Sequence, residues 1–427
     1  MPAATAQIRI SKLASLTAVH RAFHWLHLHQ PQLRQWQLDL VRIPAPSFNE
    51  SARAAWFLDR FHQLGLTNIH LDPEGNALAE LAPDPSKAAH PDQQSTSAPC
   101  ILISAHLDTV FPVGTPCEPT EHTDSPRILA PGICDNAAGL TGLLAIAAAL
   151  RYAKVSPPIT ILFAANVGEE GEGDLRGMRH LFSQEPYRNR IAAAVALEGG
   201  GTGTVVTRGL GSRRLRVTIT GPGGHSWADA GMPNPILILS RAISDLSHLK
   251  LPATPRTTLN VGHISGGTSI NSIPESATAL IDIRSTDPEQ LLATETYLRN
   301  LLESTLAAFA REAAKQNTAF TPAKLHIETI GNRPAAALSD TSSLLHTLRA
   351  VDRHLTLHTE QRIGSTDANI PLALGIPAIA IGAGGLGGGI HTLQEWYDPT
   401  GRETALRRIL LTILDTTNLI AEAATNA

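Results

Sequence analysis

The sequence predicts an α/β protein with a mainly parallel sheet, helices on both faces of that sheet, and a smaller inserted α+β domain. Apolar strands alternate with helical segments through the first half of the chain, as in CILISAH (100–106), PITILFAAN (158–166) and IAAAVAL (191–197). From about residue 211 the order becomes strand, helix, two strands, helix, strand, which is typical of a ferredoxin-like unit.

This change of pattern predicts two domains, because the inserted unit forms a complete layer by itself. Residues 1–210 and 327–427 are expected to form the larger domain, and residues 211–326 the inserted one. A chain of 427 residues is long enough for both. Residues 51–66 show helical spacing, and the polar, proline-rich segment 82–99 is expected to be a surface loop.

The composition excludes several classes of protein. The chain is 43% hydrophobic with a formal net charge of −4, so we expect neither nucleic-acid nor membrane-surface binding. No apolar run approaches the roughly 20 residues that span a bilayer, and the first residues lack the features of a secretion signal. The three cysteines include no C-x-x-C pair, which indicates neither a disulfide framework nor a cysteine zinc site. We therefore expect a cytoplasmic protein.

Imidazole and carboxylate side chains stand where the apolar strands end. His106 and Asp108 come at the end of the first buried strand, on one face, so they could hold a metal ion or form a buried hydrogen-bonded pair. Glu169 and Glu170 follow the next buried strand, and Glu198 follows the one after it. Open α/β sheets bind ligands at this edge, which is where we expect these side chains to meet.

Each candidate also has an ordinary structural explanation. His106 could be a core histidine with satisfied hydrogen bonds, Asp135 stands where a helix N-cap belongs, and His391 follows three glycines in a loop. Glu198 could pair with an arginine, and the adjacent glutamates could be a solvated strand end. Together, two histidines and three carboxylates favour two zinc ions, with one bridging carboxylate and two further protein ligands per metal. The five candidate ligands are His106, Asp135, one of Glu169 and Glu170, Glu198 and His391.

Two further roles follow from the two-metal hypothesis. Asp108 would orient the imidazole of His106. Of Glu169 and Glu170, one would bind metal, and the other would act as general base on a water whose pKa the metals lower. The expected target is an amide, because the same glutamate can pass the proton to a leaving amine. Imidazole and carboxylate ligands also admit cobalt or manganese.

Seven short motifs occur in the order seen in one known family: SAHLDTV, GICDNAAGL, VGEEGEG, ALEGG, GPGGHS, NSIPESATALIDIR and GGGIHT. From about residue 40 to its end, the chain resembles the co-catalytic zinc hydrolases that include carboxypeptidase G, peptidase T, aminoacylase and succinyl-diaminopimelate desuccinylase. The resemblance implies a zinc exopeptidase-like catalytic domain in which Asp135 bridges the metals. It also implies that Glu170 is the ligand and Glu169 the general base.

The resemblance further implies roles for the inserted domain, which looks like the family's lid or dimerisation domain. His225 matches a histidine that polarises the scissile carbonyl, often from the neighbouring subunit, and such a donor stabilises an oxyanion. Arg284 and Asn271 match residues that hold the substrate, with the Arg284 guanidinium suited to a carboxylate. The ordinary explanations are turn residues for His225 and Asn271 and a surface strand residue for Arg284. The expected assembly is a homodimer formed through this domain.

Three hypotheses for function follow. The first is a zinc-dependent exopeptidase that hydrolyses short peptides with metal-activated water. The second is an N-acyl amino acid deacylase with the same site, which Glu198 weakly favours because the family often has Asp there in aminopeptidases and dipeptidases. VGEEGEGDLRG instead looks more like the peptidases of the family. The third is a catalytically silent binding protein, which is disfavoured because Glu169 and all five ligands are present.

Overall fold

A computed structural model describes residues 3–84, 98–121, 124–316 and 321–425, so most of the loop predicted at 82–99 lies outside the described residues. The helices are α1 (Ala3–Ala14), α2 (Thr17–Leu28), α3 (Gln30–Val41), α4 (Ser51–Leu64), α5 (Ala137–Tyr152), α6 (Arg176–Ser183), α7 (Pro235–Leu246), α8 (Pro288–Gln316), α9 (Ser343–His354), α10 (Asn369–Ala373) and α11 (Arg402–Thr425). The strands are β1 (Thr67–Leu71), β2 (Ala77–Leu81), β3 (Cys100–His106), β4 (Thr120–Glu121), β5 (Ile128–Leu129), β6 (Thr160–Asn166), β7 (Ile191–Leu197), β8 (Thr204–Gly209), β9 (Gly211–Thr220), β10 (Gly224–His225), β11 (Thr257–Gly266), β12 (Ser272–Ile273), β13 (Ser276–Ser285), β14 (Lys324–Arg333), β15 (Ala336–Ala337), β16 (Glu360–Gly364), β17 (Ala378–Ile381), β18 (Leu386–Gly388) and β19 (Trp396–Asp398).

The chain folds into two compact units. The first consists of Met1–Gly209 with Ala337–Ala427, and the second of Leu210–Ala336. The second unit extends beyond the boundary predicted at residue 326, because β14 pairs along its whole length with β9 of the same unit. Cutting the chain at residue 326 would leave most of this edge strand outside the sheet to which it belongs.

The first unit is built on a mainly parallel sheet. Its described strands have the order β1-β2-β6-β3-β7-β17-β8-β15, with β16 paired to β8. Strands β6, β3, β7 and β17 run parallel to one another, while β1 and β2 add an antiparallel edge. All of β3 and β6 is buried, as expected for central strands covered on both faces. The predicted fold class is confirmed.

Helices cover this sheet in more than one layer. Helix α5 is buried at nearly every position because α2, α3 and α11 pack against it, which explains its uniformly apolar sequence. Helix α1 is held to α11 by a two-point contact in which the Arg9 guanidinium donates to both carboxylate oxygens of Asp415, at 2.8 and 2.7 Å. Among the described helices, none is both long enough and apolar enough to cross a membrane.

The second unit is a four-stranded antiparallel sheet with the order β11-β13-β9-β14. Helices α7 and α8 pack against this sheet, and their apolar side chains join those of the strands in a separate core. The chain order of strand, helix, two strands, helix, strand gives the predicted ferredoxin-like arrangement. A short antiparallel pair of strands, β10 with β12, carries His225.

Candidate metal centre

The parallel strands bring the candidate ligands of the first unit to one edge of the sheet. His106 is the last residue of β3, and the pair Glu169 and Glu170 follows β6. Glu198 comes directly after β7, and His391 lies between the short strands β18 and β19, which follow β17. Because these four strands run parallel to one another, their carboxyl ends open on the same edge.

The side chains meet as two triads that share Asp135. On one side, the His106 Nε2 lies 3.1 Å from the Asp135 Oδ1 and 3.3 Å from the Glu198 Oε1. On the other, the His391 Nε2 lies 3.2 Å from the Asp135 Oδ2 and 2.9 Å from the Glu170 Oε1. Within each triad, one ligand atom per residue lies within 4.8 Å of the others. Asp135 therefore presents one carboxylate oxygen to each triad.

This donor set fits two divalent metal ions. Each triad offers one imidazole nitrogen and carboxylate oxygens, which are ligands that zinc accepts. The Asp135 Oδ1 is buried and makes no hydrogen bond of good geometry, which is costly for a carboxylate oxygen unless a cation is bound there. A carboxylate shared by two such triads is what a two-metal site requires.

The electrostatics of the cluster are strongly perturbed. Burial alone would lower the pKa of His106, but the charge of Glu198 and hydrogen bonds to carboxylates more than offset it, so this pKa is raised well above 6.5. Burial opposes ionisation of Asp135, yet the two imidazoles hold its pKa well below 3.8. Hydrogen bonds to Asp135 and Glu170 raise the pKa of His391 to about 10. The cluster thus favours a cation among its carboxylates, as a metal centre would.

Asp108 organises the loop that carries the two glutamates. Its carboxylate accepts from the backbone N–H groups of Glu169 and Glu170, both at 2.9 Å, and from the Ser47 hydroxyl at 2.7 Å. The His106 Nδ1 lies 3.0 Å from the Asp108 carbonyl oxygen and 3.6 Å from its carboxylate. The nearer partner of the imidazole is thus the backbone carbonyl of Asp108, while the carboxylate holds the Glu169 and Glu170 backbone.

The helix after Asp135 is capped by its neighbour. Asn136 is the N-cap of α5, and its Oδ1 accepts from the Gly139 N–H at 3.1 Å. The same oxygen accepts from the Gly199 N–H at 2.9 Å, and the Asn136 amide donates to the Leu197 carbonyl at 2.9 Å. The helix-cap explanation for Asp135 is therefore wrong, and Asn136 ties the start of α5 to the end of β7 beside Glu198.

Glu395 is a site residue that the sequence reasoning missed. It is fully buried, and its carboxylate accepts from the backbone N–H groups of Gly132 (3.0 Å), Cys134 (2.8 Å) and Asp135 (2.8 Å). These three contacts hold the turn that presents Asp135. The only signal in the sequence was the position of this acidic residue, four residues after His391. A glutamate in such a loop is expected to be exposed, so its burial could not be predicted from that position.

Arg53 was also missed, and no sequence signal marked it. This residue of α4 is buried, and its guanidinium donates to the Ile43 and Leu107 carbonyl oxygens, both at 2.7 Å. Burial lowers its pKa to about 10. Arg53 therefore fixes the backbone at Leu107, which lies between His106 and Asp108 at the end of β3.

In the second unit, His225 and Asn271 lie together. The Ser226 N–H donates to the Asn271 carbonyl at 3.0 Å, and β10 pairs with β12 next to them. The His225 Nδ1 accepts from the N–H groups of Trp227 (3.2 Å) and Ala228 (3.3 Å). Because Nδ1 is an acceptor, the neutral ring carries its proton on Nε2. His225 is thus set up as a hydrogen-bond donor on the exposed strand β10.

Arg284 is not brought to this pair of strands. It lies near the far end of β13 from Ser276, roughly 27 Å along the strand by the rise of extended chain. Its Nε donates to the Asp282 carboxylate at 2.7 Å. The predicted role of Arg284 in holding the substrate therefore has no support from its surroundings within this unit.

Comparison with known families identifies both units. The family model described as "Peptidase family M28" matches residues 88–213, a stretch with every candidate ligand except His391. The family model described as "Peptidase dimerisation domain" matches residues 208–310. The two matches together cover the chain from before β3 to within α8.

Similar proteins carry peptidase descriptions. A probable carboxypeptidase of Aspergillus clavatus is 30% identical over 271 residues, which are 59% of this chain and 57% of that protein. The crystal structure of a tripeptidase from Staphylococcus aureus matches with a TM-score of 0.69 at 22% identity, covering 90% of this chain and 98% of the other. A dinuclear metal binding peptidase of the M20 family from Bacillus subtilis matches with a TM-score of 0.64 at 16% identity, covering 91% and 98%.

The parallel sheet and the four-stranded second unit give the α/β fold that these solved peptidases share. The chain spans about three-fifths of the length of the first curated relatives it matches. The resemblance predicted from the motifs is confirmed to this extent: the chain matches a peptidase family model and a peptidase dimerisation domain model, and it shares its fold with solved peptidases.

Proposed function

We propose that this protein is a zinc-dependent exopeptidase that hydrolyses amide bonds of short peptides. The observation that carries the proposal is the position of Asp135 between two triads, each with one histidine and one further carboxylate. His106 and Glu198 would hold one zinc ion, and Glu170 and His391 the other, with Asp135 common to both. Cobalt or manganese would suit the same ligands.

When bound, the two metal ions would lower the pKa of a water molecule and polarise the scissile carbonyl. Glu169 is the residue we assign as general base. It is buried, it stands next to Glu170, and it groups with Glu170 and His106 within 4.8 Å. Asp108 fixes its backbone through the hydrogen bond from the Glu169 N–H. A carboxylate so placed can take a proton from water and deliver it to the leaving amine.

In the second unit, His225 would stabilise the oxyanion. The contacts of its Nδ1 leave the Nε2–H as a donor, which is the group that such a role needs. Asn271, held beside it, would contact the substrate. We keep Arg284 as a substrate-binding prediction that a variant at this position can test directly.

The second candidate is an N-acyl amino acid deacylase, which would use the same residues. Glu198 favours it through the family pattern, whereas similarity to proteins described as a carboxypeptidase and a tripeptidase favours the exopeptidase. Both reactions cleave an amide beside an amino acid, so the metal centre serves either one. The exopeptidase is the first choice because peptidase descriptions recur among the similar proteins.

We also infer a homodimer formed through the second unit, which matches the peptidase dimerisation domain. Strand β11 is a terminal strand of its described sheet and contains no Asp, Glu, Lys or Arg, whereas the other terminal strand, β14, contains three such residues. Charged residues protect sheet edges from pairing, so β11 is the edge we expect to meet the partner. A cytoplasmic location is our inference from the three cysteines, all of which are free thiols.

Metal content and activity test the proposal together. The purified protein is expected to carry about two zinc equivalents per chain by elemental analysis, as a two-metal site requires. It should hydrolyse members of a panel of dipeptides, tripeptides and N-acetyl amino acids, lose activity on chelation and regain it with added metal. Turnover of N-acetyl amino acids alone would replace the exopeptidase with the deacylase. A protein that binds no added zinc would overturn the mechanism.

A further inference from the structure

Exposed apolar side chains are concentrated around the candidate metal centre. In the described part of the first unit, six of them lie on three segments that contain, or hydrogen-bond to, candidate site residues: residues 44–50, 107–115 and 382–395. These segments contain Ser47, Asp108 and His391. The six side chains are Phe48, Val110, Val113, Leu386, Ile390 and Leu393.

Phe48 is the most unusual member of this group. Its side chain is 61% exposed, although phenylalanine is normally buried, and its φ is +72°, in the left-handed region. An aromatic residue rarely adopts this conformation, and such strain clusters at functional sites. The Arg176 guanidinium lies 5.1 Å from the ring centroid and supports the ring from one side. The fold therefore holds an aromatic ring in solvent at a conformational cost.

Hydrogen bonds fix the Phe48 loop to the segment that carries Glu169 and Glu170. The preceding Ser47 hydroxyl contacts the Asp108 carboxylate at 2.7 Å and the Glu170 carbonyl at 3.1 Å. Two residues after Phe48, the buried Glu50 carboxylate accepts from Arg176 at 2.7 Å and from the Gly168 N–H at 3.1 Å. Phe48 is thus anchored on both sides to the backbone that presents the general base and one ligand.

Three more of the exposed apolar side chains belong to the segment that carries His391. Ile390 is next to His391 in the chain, and Leu393 follows two residues later, with exposures of 41% and 61%. The Thr392 N–H donates to the Gly389 carbonyl at 3.0 Å, which closes a turn around His391. Leu386 begins β18, which pairs with β19 and anchors the start of this loop.

The charged residues of these segments indicate which substrate side chains they could bind. Residues 44–50, 107–115 and 382–395 contain no lysine or arginine, and their acidic residues, Glu50, Asp108 and Glu395, are all buried in hydrogen bonds. Apart from the candidate ligand His391, these segments expose no titratable side chain. A substrate with a charged side chain would find no partner on these segments, whereas an apolar one would remove exposed apolar surface from water.

We propose that Phe48, with Ile390 and Leu393, selects substrates with large apolar side chains, such as leucine or phenylalanine, next to the scissile amide. The inference rests on the proposed function, because it assigns the substrate class of the same site. Phe48 would contact the substrate side chain directly, and Ser47 and Glu50 would hold the Phe48 loop in place. Because the hydrogen bonds of Ser47 and Glu50 hold the Phe48 loop before substrate binds, its apolar contact is gained at little further entropic cost.

The test measures binding, so that it does not depend on turnover. Leu-Leu and Phe-Leu are titrated calorimetrically into the metal-loaded Glu169→Gln protein, beside Asp-Asp and Lys-Lys. The apolar dipeptides are expected to bind at least about tenfold more tightly. Phe48→Ser should remove most of that preference and Phe48→Leu should retain it. Leu374→Ser, at an apolar residue of the same unit that is 57% exposed and outside these segments, should leave the preference unchanged.

Equal or tighter binding of the charged dipeptides, or no binding of any dipeptide, would overturn the apolar selection. A preference that survives Phe48→Ser would overturn the role of Phe48. A protein that hydrolyses nothing but binds apolar dipeptides through Phe48 would refute the proposed function while supporting this inference. Hydrolysis of peptides without any side-chain preference would support the proposed function and refute this inference.

Discussion

At the scale of single residues, Asp135 decides what kind of site this is. Two readings were open from the sequence, a helix cap and a metal ligand. The structure gives the cap to Asn136 and leaves both Asp135 carboxylate oxygens facing imidazoles, at 3.1 and 3.2 Å. A buried carboxylate between a histidine at the end of a strand and a histidine of a distant loop is the arrangement that a shared metal ligand requires and that a helix cap does not.

Glu169→Gln is expected to lower kcat by about 10²–10⁴-fold, because the amide cannot accept the proton from water. Metal content should stay close to that of the unchanged protein, since Glu169 is assigned no metal. Steady-state kinetics on the best peptide of the panel and elemental analysis measure the two quantities on one preparation.

The matched control is Glu172→Gln, which removes an exposed carboxylate from the same acidic segment and should change neither activity nor metal content. If Glu169→Gln lost its metal while Glu170→Gln kept it, the roles assigned to these two glutamates would have to be exchanged.

The cysteines give a prediction about pH. Burial raises the pKa of Cys100 and of Cys134 to about 12, and it also raises the pKa of the half-buried Cys117. Only the thiolate reacts, so a pKa above the ambient pH suppresses reaction, and reactivity can grow only as pH rises. At pH 8, Ellman's reagent should modify at most Cys117 in the native protein and all three thiols in guanidinium chloride. Rapid modification of two or more native thiols would contradict this burial.

At the scale of elements, the site depends on loops that are held by buried polar side chains. The turn before α5 presents Asp135 because the Glu395 carboxylate accepts three of its backbone N–H groups. The loop after β6 presents Glu169 and Glu170 because the Asp108 carboxylate accepts from both of them. In each case one buried carboxylate satisfies backbone donors that the loop could not pair by itself.

Glu395→Ala tests the first of these loops. It leaves three backbone donors without their acceptor, so we expect the free energy of unfolding to fall by about 3 kcal/mol, given a cost of about 1–3 kcal/mol for each buried unsatisfied group. Metal affinity should fall about 10–100-fold, as it does when support for a ligand is removed. Denaturant unfolding and competition with a chelator measure these effects.

Gln394→Ala, at the exposed neighbouring position, is the matched control and should leave both quantities unchanged. Unaltered metal affinity in Glu395→Ala would mean that the turn keeps its shape without the carboxylate.

The strands themselves could be predicted, while the supports of the loops could not. Strands β3, β6 and β7 are continuous apolar runs, and the ligand at the end of each is visible from its position in the chain. Glu395 and Arg53 hold backbone groups elsewhere in the sequence. Nothing in the sequence marks Arg53, and the position of Glu395 four residues after His391 does not show that its side chain is buried. The roles of Asp108 and Asn136 likewise became clear only from their hydrogen-bond partners.

At the scale of the whole molecule, the two units differ in the features they contribute. The first contains the paired triads, and the second matches the dimerisation domain and offers the uncharged edge strand β11. Within β11, Ile264 is 52% exposed, which is unusual for an isoleucine on an open edge. The exposed Ile264 on β11 therefore marks the interface that we expect in the proposed homodimer, and a variant at this residue can test it.

Ile264→Asp should shift the protein from dimer to monomer in sedimentation equilibrium at micromolar concentration, because a charge on the edge would have to be buried on pairing. Leu374→Asp introduces the same charge at an exposed apolar position of the first unit and should leave the dimer intact. A dimer that persists in Ile264→Asp would move the interface away from β11. A wild-type protein that is monomeric at this concentration would refute the homodimer.

Local patterns in the sequence were enough to predict the fold class, the inserted unit and the candidate ligands. This was possible because strand runs, helix spacing and the residues at strand ends are local patterns, and parallel strands necessarily bring their carboxyl ends to one edge. The tertiary structure alone decided that Asp135 lies between two histidines, that Asn136 is the cap, that Arg284 lies far from His225, and that Phe48 is held in solvent. These depend on side-chain packing and hydrogen bonds between segments that are distant in the chain, which no local pattern encodes.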